Sequence, residues 1–166
     1  EKPVTETVGE AQALILAAET NNAVFQVGHL ERFNPAVVAL KEKVSRPRKI
    51  HAERLSPYKA RGTEVNVVLD LMIHDIDIVL SLVEEEIDKI EASGRTVVSG
   101  DIDIAHAKIL FKGGCTVELS ASRANQDQVR TMTVQEQDSY VSVDYLNHEM
   151  VVGKIGKDGK ISEQRE

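Results

Sequence analysis

The stretch VLDLMIHDID, residues 68–77, constrains the fold more than any other part of this sequence. It lies in a mostly apolar run, residues 67–83, whose length and composition predict a buried helix. Four polar residues recur in that run at intervals of four, three and four positions: Asp70, His74, Asp77 and Ser81. At about 100° per residue, these positions share one narrow stripe of a helix. The sequence therefore predicts a helix that is buried on most sides and carries a thin polar stripe.

A polar stripe on such a helix needs partners or a cleft. Burying an unpaired carboxylate costs several kcal/mol or shifts its pKa. An aspartate one turn before a histidine can orient the imidazole and raise its basicity, which suits a general base. Asp70 and His74 are therefore candidate catalytic residues. Two alternatives stay open: the stripe is the solvent side of an amphipathic helix, or Asp70 and His74 bind a metal for which the sequence offers no convincing third ligand.

The rest of the first half predicts two more helices and two strands. Residues 7–20 have an apolar helical face, and residues 23–28 (AVFQVG) predict a short buried strand. Asn34 followed by Pro35 is typical of a helix start. Residues 49–55 (KIHAERL) alternate as a half-buried strand does.

The second half predicts a sheet. Six β-rich runs alternate with turn signals, including Gly113-Gly114 and Lys157-Asp158-Gly159, which are typical of hairpins. Helices early and a meander late predict an α+β fold with an open, mostly antiparallel sheet and helices packed on one face.

Length and charge narrow the class of protein. The 166 residues are enough for one domain with a real core. The formal net charge of −7 argues against a nucleic-acid or anionic-membrane partner. No apolar run approaches the about 18 residues of a membrane span. The single cysteine, Cys115, cannot form an intrachain disulfide, which favours a cytoplasmic location. The chain opens on Glu1-Lys2-Pro3 without a methionine, so we expect a piece of a longer polypeptide.

Three motifs together resemble the Gfo/Idh/MocA family of NAD(P)-dependent sugar and cyclitol oxidoreductases: EKP at 1–3, VGHLERFNP at 27–35 and DLMIHDID at 70–77. The resemblance runs from residue 1 to about residue 150. It implies a C-terminal α/β domain that follows a dinucleotide-binding domain. Because the fingerprint Gly-x-Gly-x-x-Gly is absent, the resemblance implies that the cofactor domain is missing here. Residues 1–166 would then be the substrate-binding, catalytic and dimerisation domain of a longer enzyme.

The resemblance also implies roles for individual residues. Lys2 matches the catalytic lysine of the Glu-Lys-Pro motif, beside the bound NAD or NADP. Asp70 and His74 match the Asp-x-x-x-His pair, and Asp77 falls where some members contact substrate hydroxyls. Oxidising a secondary alcohol needs a base, which suits His74, and a cation near the developing alkoxide, which suits Lys2. Family members often pair through the open face of the sheet, so a homo-oligomer is expected.

The loop that follows the 49–55 strand resembles family members that oxidise the 3-hydroxyl of UDP-N-acetylglucosamine. Arg54, Lys59 and Arg61 could bind a diphosphate, the arginines through their guanidinium groups, and Ser56 and Tyr58 could hydrogen-bond the sugar or the uracil. Three other interpretations remain: a solvated basic loop, a myo-inositol or simple-sugar dehydrogenase that needs no phosphate contacts, or a binding and dimerisation module without chemistry.

Overall fold

The computed structural model describes residues 2–59, 65–156, 158 and 160–165 of the chain. Three α-helices occupy the first half: α1 (Val8–Thr20), α2 (Pro35–Lys43) and α3 (Ile73–Leu82). A 3-10 turn, Leu30–Phe33, precedes α2, and a π turn, Val68–Met72, precedes α3. Eight strands form the rest: β1 (Lys49–Leu55), β2 (Ile87–Arg95), β3 (Ile104–Phe111), β4 (Thr116–Ser122), β5 (Val129–Gln135), β6 (Ser139–Asp144), β7 (Glu149–Ile155) and β8 (Ile161–Arg165).

Local sequence signals set where the helices begin. The Thr7 side chain accepts from the Glu10 amide, and the Glu10 side chain accepts from the Thr7 amide, a capping box that starts α1. The Asn34 carboxamide oxygen accepts from the Ala36 amide at 3.0 Å, and Pro35 takes the first position of α2.

The eight strands form one sheet in the order β2-β3-β4-β1-β5-β6-β7-β8. Strand β1 runs parallel to β4 and antiparallel to β5, so it separates two antiparallel meanders. Gly114, with φ of 92°, closes the turn between β3 and β4, a conformation that glycine adopts without strain. The central position of β1 places its buried side chains beneath the helices.

The core lies between the sheet and the helices α2 and α3. Ile50 and Ala52 of β1 are buried on that face. Neighbouring strands supply the rest of the inner layer: Val117, Leu119, Met132, Val134, Val141 and Val143. Ile78 and Val79 of α3 close the core from the other side. The opposite face of the sheet carries exposed or half-exposed side chains such as His51, Glu53 and Glu118, so one face of the sheet is wet.

The predicted fold class is confirmed: an α+β fold with an open, mostly antiparallel sheet and helices on one face. The strand predicted for residues 23–28 is wrong, because that stretch is irregular and Val24 is 98% exposed. A strand needs a hydrogen-bonded neighbour, and the apolar pattern alone cannot supply one. Helix α1 forms where predicted but buries none of its residues. Within the described ranges, no helix is long and apolar enough to cross a membrane.

Candidate functional site

The entry to helix α3 is a wide turn that brings Lys2 to the polar stripe. In Val68–Met72 the Ile73 amide donates to the Val68 carbonyl, five residues back. Single π turns inside helices occur frequently at functional sites. The Lys2 ammonium donates to the main-chain carbonyl of Asp70, and it lies 3.7 Å from the Asp70 carboxylate. The second residue of the chain therefore meets the first polar residue of the stripe.

His74 lies one turn further along, half-buried. Its Nδ1 atom is buried and has no hydrogen-bond partner among the residues that the structure describes. Burial, followed by the charges of Arg54 and Lys2, lowers the pKa of His74 from 6.5 to about 3. The imidazole is therefore neutral at pH 7. The expectation that Asp70 raises the basicity of His74 is wrong, because the Asp70 carboxylate faces the Lys2 ammonium and the net field at His74 is positive.

Beneath His74 lies a buried ion pair that the sequence did not reveal. Arg54 Nε and Nη2 donate to the two carboxylate oxygens of Asp75 at 2.9 and 2.8 Å, and the two residues are 3% and 2% exposed. Arg54 Nη2 is also 3.8 Å from Glu31 Oε2. Burial raises the pKa of Asp75, and the Arg54 guanidinium opposes that shift.

This pair corrects the placement of Arg54. The sequence suggested a cation beside a solvated loop, free to bind a diphosphate. Arg54 does lie on the predicted strand, β1, but its side chain points into the helix-covered face of the sheet. Its guanidinium group is held by Asp75 and buried from solvent. A buried, paired arginine cannot reach a ligand phosphate without breaking that pair, so the predicted phosphate contact at Arg54 is not supported.

Asp77, three residues after His74 on the polar stripe, is paired with Arg32. Its carboxylate accepts from Arg32 Nε at 2.7 Å and from Arg32 Nη2 at 2.6 Å. His29 Nδ1 lies 3.8 Å from the same carboxylate. Asp77 was expected to meet substrate hydroxyls from an open cleft, yet both of its oxygens face the half-exposed Arg32 side chain. Any substrate contact there involves Arg32 as much as Asp77.

The other predicted binding residues lie in the segment after β1. The Ser56 amide donates to the Ser122 carbonyl at 2.8 Å, so the Ser56 backbone continues the pairing of β1 with β4. Tyr58 is 43% exposed. Arg61 lies outside the described residues.

Sequence reasoning missed several residues that lie at this site. His29, Glu31 and Arg32 belong to the motif VGHLERFNP, which indicated the family but suggested no role for them. Asp75 lies in the same run but off the polar stripe, so the helical spacing indicated no role for it. Four buried polar atoms have no hydrogen-bond partner among the described residues: His29 Nδ1, Glu31 Oε2, His74 Nδ1 and Tyr145 Oη.

Glu31, His74 and Tyr145 lie within the electrostatic reach of Arg54, and His29 lies beside Asp77. Burial, then the Asp75 carboxylate, raises the pKa of Tyr145, while Arg54 opposes that rise and Glu31 adds to it. His29 borders Asp77, and Glu31 borders Arg54. A buried polar atom without a partner is destabilising, and native proteins keep few of them. Four such atoms in this region make it a candidate site for a polar ligand. In the described part of the chain, no three His, Cys, Asp or Glu side chains are grouped so as to hold a metal ion.

Comparison with known proteins identifies the family. Residues 37–139 match the family description "GFO/IDH/MocA C-terminal domain". The chain is 39% identical over 149 residues to the UDP-N-acetylglucosamine 3-dehydrogenase of Acidithiobacillus ferrooxidans, which covers 89% of this chain and 48% of that protein. It is 26% identical to the scyllo-inositol 2-dehydrogenase (NAD(+)) of Bacillus subtilis, over 75% of this chain and 41% of that protein. The chain thus spans about half the length of the curated relatives it matches, or somewhat less.

Solved structures give the same picture of the fold. The UDP-N-acetylglucosamine 3-dehydrogenase from Acidithiobacillus ferrooxidans superposes with a TM-score of 0.91 at 34% identity, covering 99% of this chain and 55% of that chain. Levoglucosan dehydrogenase, in complex with NADH and L-sorbose, superposes with a TM-score of 0.84 at 18% identity, covering 99% of this chain and 52% of that chain. The second likeness is one of fold alone.

Proposed function

Because the chain belongs to the Gfo/Idh/MocA family, as a C-terminal domain, we propose that the full-length protein is an NAD(P)-dependent dehydrogenase acting on a sugar. The reaction is the oxidation of a secondary hydroxyl to a ketone, and the first candidate substrate is UDP-N-acetylglucosamine, oxidised at the 3-position. One observation carries the proposal: Lys2 and Asp70 meet beside His74, whose half-buried, neutral imidazole has no hydrogen-bond partner for its Nδ1 atom among the described residues.

The chemistry asks for the groups that this site offers. The hydrogen on the substrate carbon leaves as a hydride, which the nicotinamide accepts. The O–H proton passes to a base, and a C=O bond forms. Neutral His74 is proposed to take that proton, since its Nδ1 atom needs a donor to complete its hydrogen bonding. The Lys2 ammonium is proposed to stabilise the alkoxide charge as it develops. Asp70 holds Lys2 through its carbonyl and its carboxylate, so its proposed role is to position the lysine.

A nicotinamide cofactor, when bound, supplies the hydride acceptor. Of the residues described, Lys2 fits a place beside it, because its side chain is 18% exposed and its ammonium is directed at the stripe. The sequence contains no Gly-x-Gly-x-x-Gly turn to hold the pyrophosphate. We therefore propose that the dinucleotide is held mainly by a domain outside this sequence, which also selects NAD or NADP.

The nucleotide-sugar assignment is supported by the 39% identity to a relative that carries that name. With Arg54 buried in its ion pair, the diphosphate contacts fall to Arg61 and to the exposed Lys59. Ser56 and Tyr58 are proposed to hydrogen-bond the sugar or the base from the same segment. We further propose a cytoplasmic enzyme whose copies pair through the open face of the sheet.

A second candidate is the oxidation of free inositol or a simple sugar. Two observations favour it: the chain matches a scyllo-inositol dehydrogenase at 26% identity, and one of the expected phosphate contacts, Arg54, is engaged elsewhere. An uncharged polyol would need only the polar groups around His74 and Asp77.

The test is a substrate panel with the full-length protein. UDP-N-acetylglucosamine, N-acetylglucosamine, myo-inositol and glucose are each offered with NAD⁺ and with NADP⁺, and the reduced nicotinamide is followed by its absorbance. We expect turnover of UDP-N-acetylglucosamine and a 3-keto product by NMR. Turnover of inositol or glucose with UDP-N-acetylglucosamine inert would favour the second candidate. No turnover of any member, with bound cofactor verified by calorimetry, would refute the sugar dehydrogenase proposal.

A further inference from the structure

We propose that Arg54, held between Asp75 and Glu31 beneath helix α3, is a positioning residue for His74, a role that rests on the function proposed above. Arg54 itself touches neither substrate nor cofactor in this proposal. It acts by fixing the helix that carries His74 and by placing a permanent positive charge under the imidazole.

The first argument is geometric. Arg54 lies near the end of β1, a central strand of the sheet, and Asp75 is the residue directly after His74. The two parallel hydrogen bonds, 2.9 and 2.8 Å long, tie one face of α3 to that strand. A bidentate fork fixes direction as well as distance. The bidentate contact therefore restrains the rotation of α3 about its axis next to His74.

The second argument is that this pair is a poor choice for stability alone. Breaking one partner of a buried ion pair is destabilising, yet replacing both partners with apolar residues is often neutral or stabilising. The fold nevertheless places two acids, Asp75 and Glu31, around one buried arginine. Glu31 Oε2 and the neighbouring Tyr145 hydroxyl are left without hydrogen-bond partners among the described residues. One carboxylate would be enough to hold the helix through Arg54, so the second acid is not explained by stability alone.

The third argument is electrostatic. The groups that act on His74 come from each segment packed against it: Lys2 from the N-terminal segment, His29 from the 3-10 turn region, Arg54 from β1 and Arg130 from β5. The acids on its own helix are each opposed by a cation: Asp70 by Lys2, Asp75 by Arg54 and Asp77 by Arg32. Burial first, and Arg54 as the leading charge, lower the pKa of His74 to about 3. The imidazole therefore stays unprotonated well below neutral pH, and the same charges make it a weaker base than a free imidazole.

The test compares buried arginines in the full-length enzyme. Arg54→Met removes both the charge and the fork, and Arg54→Lys keeps the charge but loses the fork. Arg123→Met is the matched control, since it breaks a buried pair with Asp103 and is absent from the charges that act on His74. For each variant, log kcat/KM is followed against pH, and His74 is titrated by NMR with ¹³C-labelled histidine, its signal assigned with His74→Asn.

We expect the acid limb of the profile and the NMR titration of His74 to move up together by roughly one pH unit in Arg54→Met, as loss of a nearby charge predicts. Arg54→Lys keeps the charge, so the pKa of His74 should stay close to its wild-type value. Its kcat should still be below the wild-type value, because the lysine cannot fix the helix bidentately. Arg123→Met should lower stability and leave both readouts in place. If Arg54→Met fails to fold, the double variant Arg54→Met/Asp75→Leu replaces the pair with apolar side chains, and its His74 pKa should rise by less than in Arg54→Met because a cation and an anion are removed together.

Two outcomes would overturn the inference: a His74 titration that is unchanged without Arg54, or one that moves equally in Arg123→Met. Failure of the proposed function is distinguishable from both. An enzyme inactive on every substrate would refute the dehydrogenase, whereas the NMR titration still decides whether Arg54 acts on His74.

Discussion

Among the residues that the structure describes, Arg54 with Asp75 and Arg123 with Asp103 form buried arginine–aspartate pairs, and the first of these lies at the candidate site. Arg123 Nε donates to Asp103 at 2.8 Å, and the two side chains are 4% and 0% exposed. Asp103 also accepts from the amides of Val97, Val98 and Ser99 at 2.7, 2.7 and 2.9 Å. Although burial raises the pKa of Asp103, the hydrogen bonds from Ser99 and Arg123 outweigh it, and the pKa lies well below its usual range. This carboxylate is stabilised as an anion.

The pair of Arg54 and Asp75 is equally buried but surrounded differently. Burial raises the pKa of Asp75, and polar atoms of Glu31 and Tyr145 nearby have no hydrogen-bond partner among the described residues. The difference teaches what buried charge is for in each place. A fully hydrogen-bonded pair closes a loop against the sheet, whereas a partly satisfied cluster leaves polar groups ready for a ligand.

The largest expected effect separates activity from stability. His74→Ala in the full-length enzyme should lower kcat by about 10²–10⁴, the usual size of a lost general base. Its unfolding midpoint in urea should change little, since His74 makes no described hydrogen bond through Nδ1. Steady-state kinetics and urea unfolding measure the two quantities on the same preparation.

The matched variant at the other pair is Arg123→Met, and its effects should be the reverse. Removing one partner of a buried ion pair typically destabilises by about 3–5 kcal/mol. Below its unfolding temperature the enzyme should keep its kcat, because Arg123 contacts the Val65 carbonyl and Ser99 rather than the polar stripe. If Arg123→Met lost activity as severely as His74→Ala, the division between a structural and a functional pair would be wrong.

A smaller effect concerns pH. Asp103 has a lowered pKa when folded, so its ionisation stabilises the fold at neutral pH, and that contribution is lost as pH falls below the ordinary value of 3.8. The unfolding free energy of wild type should therefore exceed that of Asp103→Asn at pH 7, and the gap should narrow in acid. Urea unfolding over a pH series measures it, with the exposed neighbour Asp101→Asn as the control for a lost charge.

Asp75 should show the opposite sign. Its folded pKa is raised, so any stability from its protonated form is present at low pH and is lost as pH rises through the folded pKa. The unfolding free energy of wild type should therefore increase relative to that of Asp75→Asn as pH falls. A gap that narrowed in acid for both variants would mean that Asp75 is as well solvated by hydrogen bonds as Asp103.

The sequence was sufficient for much of the fold and for the helix that carries the site. The alternation KIHAERL set β1 at Lys49–Leu55, and the Asn34-Pro35 signal set the start of α2. These features are local: a period of two, a helix cap and a long apolar run each involve residues close in the chain. The same locality explains the error at residues 23–28, where apolar character suggested a strand without any partner to pair with.

The site could be predicted only in part, because its contacts are long-range. Periodicity placed Asp70 and His74 on one helix, but a π turn and the Lys2 contact, 68 residues away in sequence, are tertiary features. Helical spacing could not show that Asp75, off the stripe, lies over Arg54 of β1, 21 residues earlier. Alternation along β1 puts Arg54 on the same face as Ile50 and Ala52, but it cannot show which acid pairs with it.

The smallest expected effect is at an exposed pair, which sets the lower limit of the comparison. Lys89 Nζ lies 2.6 Å from Glu91 Oε1 on β2, and the side chains are 63% and 60% exposed. Hydrogen bonding to Glu91 raises the pKa of Lys89, and the reverse contact lowers that of Glu91, yet water and salt screen such a pair. Lys89→Gln should therefore leave the thermal unfolding midpoint unchanged at both low and high salt. Lys112→Gln, at the exposed pair with Glu86, should behave in the same way.

All nine residues of β2 are exposed in the single chain. A loss of stability in Lys89→Gln comparable to that of Arg123→Met would mean that β2 is covered in solution by another copy, since only desolvation could make this ion pair behave like a buried one.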